Sequence, residues 1–482
     1  MSLSLESLQL VFNYLDPITH QPPKPDLYRC IQVCKAWYKA GLPLLYHSFH
    51  IRIICPSAPD DAFQQQLASP HLPAIRSISI VIALESRYTL QQQCSETIRY
   101  LTQLQFLIPR IRNLERAQLD LFPFSPEDCL PSLWPRLEPA NNHLLELVNA
   151  IVIRRPELHL RLGRPELMAE VHTELSVRPT LDDILYRTRG NIHSLFMSCQ
   201  LCWLLPRLQQ NPQIRELYFT DLSRGERSQN EAELLDIITH LPLDRLMLDG
   251  PGYVPVRILP LNLVELVLTH LKDTVKSTNE ILTHLQNLRL LSLRLQTNPS
   301  ESYVSSAIAE DQIVCSKLRK IWWTNSMAPS SIVATASRCF RMLESISPPQ
   351  NVTDNDLEVL ASSAERLKEI WLMDCPKVTI SGIGGLKDLR NLKYLQLEAG
   401  LVVFLSEHVL TDFILRCATL REIRIIYENS EEETLRRAKL LADIQGGNGF
   451  KSVLGEAITF QSSNLGDKVI VDVRQIRSHL SK

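Results

Sequence analysis

The chain has 482 residues, 45% of them apolar and 22% charged, with a formal net charge of −2. This composition excludes wholesale disorder, and the near-neutral balance removes any bulk electrostatic case for nucleic acid or an anionic membrane. No apolar run approaches the ~18 residues of a membrane span, no basic-then-apolar leader is found, and the eleven cysteines read as reduced thiols of the cytoplasm or nucleus.

The first fifty residues predict three short helices. Leu5, Leu8, Phe12 and Leu15 share one helical stripe, with Leu3 just ahead of it. Asp16-Pro17 ends that helix, and Pro17, Pro22, Pro23 and Pro25 make the following stretch a loop. Asp26 is a candidate N-cap for a second helix carrying Leu27, Cys30, Ile31 and Cys34. Val33-Cys-Lys-Ala-Trp37 then leads into a third, over 38–45. A unit this small is marginal by itself and is expected to dock onto something.

These residues carry a family resemblance. Leu3–Leu15, Asp26-Leu-Tyr-Arg-Cys30, Val33-Cys-Lys-Ala-Trp37 and Leu42-Pro-Leu-Leu-Tyr46 resemble an F-box, over about a tenth of the chain. The resemblance implies a Skp-type adaptor and, through it, a cullin ubiquitin ligase as partners. It implies adaptor contacts from Leu3, Leu5, Leu8, Phe12 and Leu15, with Leu27, Val33 and Trp37 in the same unit. The bland alternative for each is a core position of the three-helix unit. Two departures stand out: Ser4 occupies the position where the family has proline, and the 17–25 loop is longer than the compact version.

Residues 51–190 read as diverged copies of a repeat. Ile75-Ile78-Ile80, Ile111-Leu114-Leu119 and Leu158-Leu160-Leu162 are its traces, and prolines 123, 126, 131, 135 and 139 mark an irregular stretch between them.

From 191 to 430 the repeat is clear. Eighty of the 482 residues are leucine. One phrase recurs: apolar, two residues, apolar, one residue, apolar. It runs from Ile192-Leu195-Met197 through Leu318-Ile321-Trp323 and Leu367-Ile370-Leu372 to Leu420-Ile423-Ile425, with spacings of 20–30 residues. All but one of those spacings fall in the leucine-rich-repeat range of about 20–29 residues. The last two apolar positions of each copy are two apart, so they share one face of a short strand. Leu367–Thr379 resembles the cysteine-containing subclass of these repeats, with Cys375 as a small buried residue in the turn. A single copy cannot bury its apolar face alone, so stacking is required. The fold class expected is therefore α/β: a leucine-rich-repeat solenoid, or horseshoe, preceded by a small three-helix F-box-like unit.

Side chains between the core leucines project from the other face. Lys320, Trp322, Glu369, Trp371, Tyr394 and Glu398 form the candidate substrate-recognition patch, with Trp322 and Trp371 roughly 10 Å apart if adjacent strands lie about 4.8 Å apart. The competing reading packs these rings against loops or the C-terminal segment. Residues 431–482 read as a terminal cap or tail, with a strand over Val469–Val473.

No catalytic, metal or cofactor constellation is expected. Cys199-x-x-Cys202 lacks completing ligands, and Gly382-x-Gly384-Gly385 lacks the phosphate-loop context. An F-box ahead of leucine-rich repeats implies a substrate-recognition subunit of an SCF-type (Skp–cullin–F-box) ubiquitin ligase with an unspecified protein substrate. The alternative is a repeat scaffold or inhibitor with no ligase role, in which the N-terminal helices merely cap the solenoid.

Overall fold

The computed structural model describes residues 48–55, 72–84, 90–121, 134–162, 174–198, 204–220, 227–252, 254–271, 274–295, 313–324, 332–373, 375–398, 413, 416–426, 458–461 and 468–472. The adaptor-contact positions at Leu3, Leu5, Leu8, Phe12, Leu15, Leu27, Val33 and Trp37 lie outside these residues. So does the Cys199–Cys202 pair. The chain divides into two compact units, Met1–Leu243 and Asp244–Lys482.

In the first unit, strands alternate with helices. β1 (Ser48–Cys55) and β2 (Ser77–Leu84) are followed by α1 (Leu90–Leu107) and β3 (Arg116–Leu121). Then come α2 (Trp134–Val152), β4 (Glu157–Leu162), α3 (Glu174–Arg187) and β5 (Ile192–Ser198). The short α4 (Leu205–Leu208), β6 (Glu216–Thr220) and α5 (Arg227–His240) complete it. Strands β1 to β6 pair in chain order, all parallel.

The second unit begins with β7 (Arg245–Gly252), β8 (Glu265–Leu271), α6 (Thr274–His284), β9 (Leu290–Leu295) and β10 (Lys320–Thr324). It continues through α7 (Ile332–Cys339), β11 (Ser345–Ser347), α8 (Asp354–Ser363), β12 (Glu369–Leu372), α9 (Ile380–Gly385), β13 (Tyr394–Glu398) and β14 (Glu422–Ile426). Strands β7 to β14 are parallel in sequence order. At the far edge β16 (Lys468–Asp472) adds antiparallel to β14, and β15 (Ile458–Gln461) antiparallel to β16.

The repeated phrase explains each coil. In Leu318-Ile321-Trp323 the three side chains are 0%, 0% and 1% exposed, and the equivalent trio Leu367-Ile370-Leu372 is fully buried. Main-chain bonds set the turn before each strand. The first leucine's N–H donates to the carbonyl three residues earlier, as Leu318 to Cys315 at 3.2 Å and Leu343 to Phe340 at 2.8 Å. That earlier residue is buried in copy after copy, whether Cys315, Phe340, Ala364, Leu389 or Cys417. Because the bond is to main chain, only burial constrains the side chain there. A second ladder runs between coils. Two successive N–H groups share one carbonyl of the preceding coil, for example Arg319 and Lys320 on Arg289 at 2.8 and 2.9 Å.

Helices close the inward side. Trp323 Nε1 donates to Thr278 Oγ1 of α6 at 3.2 Å, and the Cys315 thiol donates to the Leu285 carbonyl. Burial pushes the Cys315 thiol up to about 12. The folded state thus prefers the protonated thiol, and its contribution to stability is intact below the ordinary thiol range. It is lost progressively as the pH rises from about 9 towards 12, where the unfolded chain ionises and the folded one does not. Native protein treated with iodoacetamide at pH 8 should leave Cys315 unmodified by peptide mass spectrometry, and unfolded protein should label it fully. Labelling of the native protein at the unfolded rate would contradict this burial.

Glycine matters at one close approach. Thr353 caps α8 in a capping box with Asp356, and the next residue, Asp354, accepts from the Thr379 N–H at 2.7 Å and from Thr379 Oγ1 at 2.5 Å. A Cβ on Gly382 would lie 2.2 Å from Asp354 Oδ1 and 3.0 Å from its Cα. Gly382→Ala must therefore displace α9 from α8 or break the Asp354–Thr379 bonds. A loss of about 1–3 kcal/mol is expected in urea unfolding, against less than ~0.5 kcal/mol for Gly384→Ala, whose Cβ would meet nothing within 4 Å apart from the helix's own backbone.

Candidate recognition face

The alternation that sends Ile321 and Trp323 inward sends Lys320 and Trp322 outward, and the same holds on each following strand. Register aligns the outward residues into rows. Lys320, Ser345, Glu369, Tyr394 and Glu422 form one, and Trp371, Gln396 and Arg424 lie in the next, where Trp322 faces Ser347. Of the six patch residues, five come together on this face. Glu398 ends β13 opposite Ile426.

Trp322 and Trp371 are stacked, with ring centroids 5.3 Å apart and planes 17° from parallel. Strand spacing alone placed them at about twice that distance. The difference comes from β11 between them, whose outward residues are Ser345 and Ser347. These small, buried side chains leave room for the two indoles to lean together, and Ser345 Oγ accepts from Trp322 Nε1 at 3.1 Å. Offset stacking of this kind contributes ~0.5–1.5 kcal/mol beyond area burial. Trp371 Nε1 is buried and has no hydrogen-bond partner among the described residues.

Charge frames the rings. Lys320 Nζ lies 5.7 Å from the Trp322 centroid. Arg424 covers Tyr394, 4.9 Å from its centroid, and holds Glu422 at 2.9 Å and Glu369 at 3.8 Å. Arg424 is therefore the hub of the patch. Sequence reasoning left it out of the cluster, because the contact follows from a long side chain reaching diagonally to β12. The patch is an aromatic platform whose cations and carboxylates neutralise one another.

The outward face of the first unit carries a second cluster that spacing did not single out. Arg161 lies 4.4 Å from the Phe196 ring centroid, Phe196 stacks on Tyr218 at 6.3 Å, and Arg161 approaches Asp120 at 3.8 Å. Register was the available signal, since Asp120, Arg161, Phe196 and Tyr218 occupy one row. Beside it His159 and His193 meet edge to face at 5.6 Å. Burial lowers the His159 pKa, Glu216 opposes that shift, and His193 adds to it.

A groove of about 750 Å³ lies between α8 and α9, lined by Asp354, Glu358, Gly382, Gly385 and Asp388 among others. Among the described residues no group of three or more His, Cys, Asp and Glu side chains is placed to hold a metal ion. No helix among them is long and apolar enough to cross a membrane.

Residues 5–52 match the F-box-like family. No curated protein matches the chain in sequence. Among the solved structures similar to it are these two. One is yeast Rad7 in its complex with Elc1, 14% identical, covering 82% of this chain and 89% of that one, with a TM-score of 0.44. The other is the leucine-rich-repeat-containing protein LegL7 from Legionella pneumophila, 11% identical, covering 83% and 98%, with a TM-score of 0.27. The match at residues 5–52, followed by coil after coil of parallel strand and buried leucine, makes this a chain with an F-box-like segment at its N-terminus and leucine-rich repeats after it.

Proposed function

We propose that this chain is the substrate-recognition subunit of an SCF-type ubiquitin ligase and is not itself an enzyme. The F-box-like match over residues 5–52 carries the reading. Its N-terminal helices would hold a Skp-type adaptor, and through it a cullin, in the cytoplasm or nucleus. The protein target would seat on the outward face of the second unit, where Trp322, Trp371 and Tyr394 supply the aromatic side chains that dominate interface energetics. Glu369 and Arg424 fix their orientation.

Partner capture with the wild-type chain and with Trp371→Ala/Tyr394→Ala tests the target site. The expected result is loss of one set of bound proteins by mass spectrometry, with the adaptor retained. An unchanged set would remove the patch as the target site. A second reading has one observation in its favour: β1 begins at Ser48, inside the matched segment, and pairs with β2 as part of the repeat sheet. That continuity suits N-terminal helices that cap the solenoid of a scaffold.

A further inference from the structure

The inter-coil ladder aligns one residue per coil along the edge where the strands of the second unit begin. Carbonyl to N–H, it starts at Asp244 and Val264 and runs on through Arg289, Arg319, Glu344, Lys368, Lys393 and Arg421, every step at 2.7–2.8 Å for the first of the two bonds. Five of the last six residues are cations. At ~4.8 Å per strand that stretch extends for about 24 Å. The turns just before it add Lys317, Arg341, Arg366 and Arg390. Over 286–289, 316–319, 341–344, 365–368, 390–393 and 418–421 there are nine Lys or Arg and two Glu, in a chain whose net charge is −2.

This concentration is not generic to the repeat. The corresponding row of the first unit includes Arg76, Glu115, Pro156, His193 and Arg215, and there Arg76 pairs with Glu115 at 2.8 Å. From Arg289 onward the row of the second unit has one carboxylate, and it is shared. Glu344 lies 3.0 Å from Lys368 and 3.9 Å from Arg319, whose side chains are 43% and 47% exposed. Arg289, Arg341, Arg390, Lys393 and Arg421 have no carboxylate at ion-pair distance among the described residues; four of the five are exposed and Lys393 is partly buried.

We infer that this edge is a docking strip for an extended, carboxylate-rich polypeptide segment. Aligned cations with so few counter-charges repel one another, and an acidic chain laid across the coils relieves that repulsion along its whole length. Glu344 shows the contact such a segment would repeat, one carboxylate bridging cations of neighbouring coils. Nucleic acid is the poorer fit, because none of the six turns carries an aromatic side chain on which a base could stack. The strip is separate from the aromatic face and does not depend on the ligase reading.

The test is fluorescence anisotropy on the full chain, with a labelled dodecapeptide alternating Glu and Gly, a Gln/Gly counterpart, and single- and double-stranded DNA of similar length. The Glu peptide should bind, and its affinity should fall about tenfold between ~50 and ~300 mM salt as charges are screened. Lys393→Glu/Arg421→Glu should weaken it at least ~10-fold, whereas Arg112→Glu/Arg187→Glu, an equal charge change on exposed residues of the first unit, should alter it less than ~2-fold. Glu344→Gln frees two cations and should tighten binding ~2–3-fold, a gain that misfolding cannot produce. Equal binding of the Gln peptide, equal loss in both double variants, or no gain in Glu344→Gln would overturn the inference. Tighter binding of DNA than of the Glu peptide, lost in the strip variant, would overturn it in favour of a nucleic-acid surface.

Discussion

Leu8→Asp/Phe12→Asp is expected to abolish co-purification with a co-expressed Skp-type adaptor, weakening the complex by at least ~100-fold, or about 2.7 kcal/mol. Leu5, Leu8, Phe12 and Leu15 fall at the spacing of one helical stripe in the sequence. Carboxylates in the middle of that stripe must either remain solvated, which opens the interface, or be buried without a partner, at a cost of several kcal/mol. The same variant separates the two readings of the N-terminus. A docking helix loses its partner while the repeats unfold at an unchanged midpoint. A capping helix weakens the first coils and lowers that midpoint, and the wild-type chain captures no adaptor in the first place. Ser4→Pro restores the family's usual opening, and in the docking reading it should leave capture unchanged or improve it.

What could be read from the chain divides by mechanism. Leu318, Ile321 and Trp323 announce a buried strand because periods of two and about 25 are geometric and survive changes of side chain. Cys375 was readable from the resemblance of its coil to the cysteine-containing repeats, and it is 2% exposed in the turn after β12. The position three residues before each first leucine was not readable, since a main-chain bond defines it and Cys, Phe, Ala and Leu all serve. Helix faces are less sharply marked: α5 buries Leu234, Ile237 and Ile238 and leaves the neighbouring Leu235 half-buried, although all four are apolar. The Trp322–Trp371 stack was beyond periodicity altogether. It depends on the small volume of Ser345 and Ser347, and a pattern of apolar and polar letters holds no volumes. Arg424 belongs to the same class, because side-chain reach decides its partners, not register. The basic strip was hidden by averaging, as a local surplus of cations disappears in a whole-chain charge of −2.

Trp323→Ala should be the most damaging single substitution in the second unit. Among the described residues Trp323 is the largest fully buried side chain, 1% exposed, and it joins β10 to α6 across the core. Truncation removes the indole, leaves a cavity that the surrounding Leu and Ile side chains fill only in part, and strands the buried Thr278 hydroxyl. The expected cost is about 3–5 kcal/mol, read as a fall in the urea midpoint of the second unit. Because each coil rests on its neighbours, the loss should spread along the stack and broaden the transition. Trp323→Phe keeps most of the volume and should cost less, and a cycle with Thr278→Val isolates the Nε1–Oγ1 bond at ~1 kcal/mol. Trp322→Ala, one residue earlier and facing outward, should cost no more than ~2 kcal/mol, the stacking and the Ser345 bond together. If the two alanine variants prove equally destabilised, the inward and outward assignment of β10 is wrong, and with it the register on which the recognition face is built.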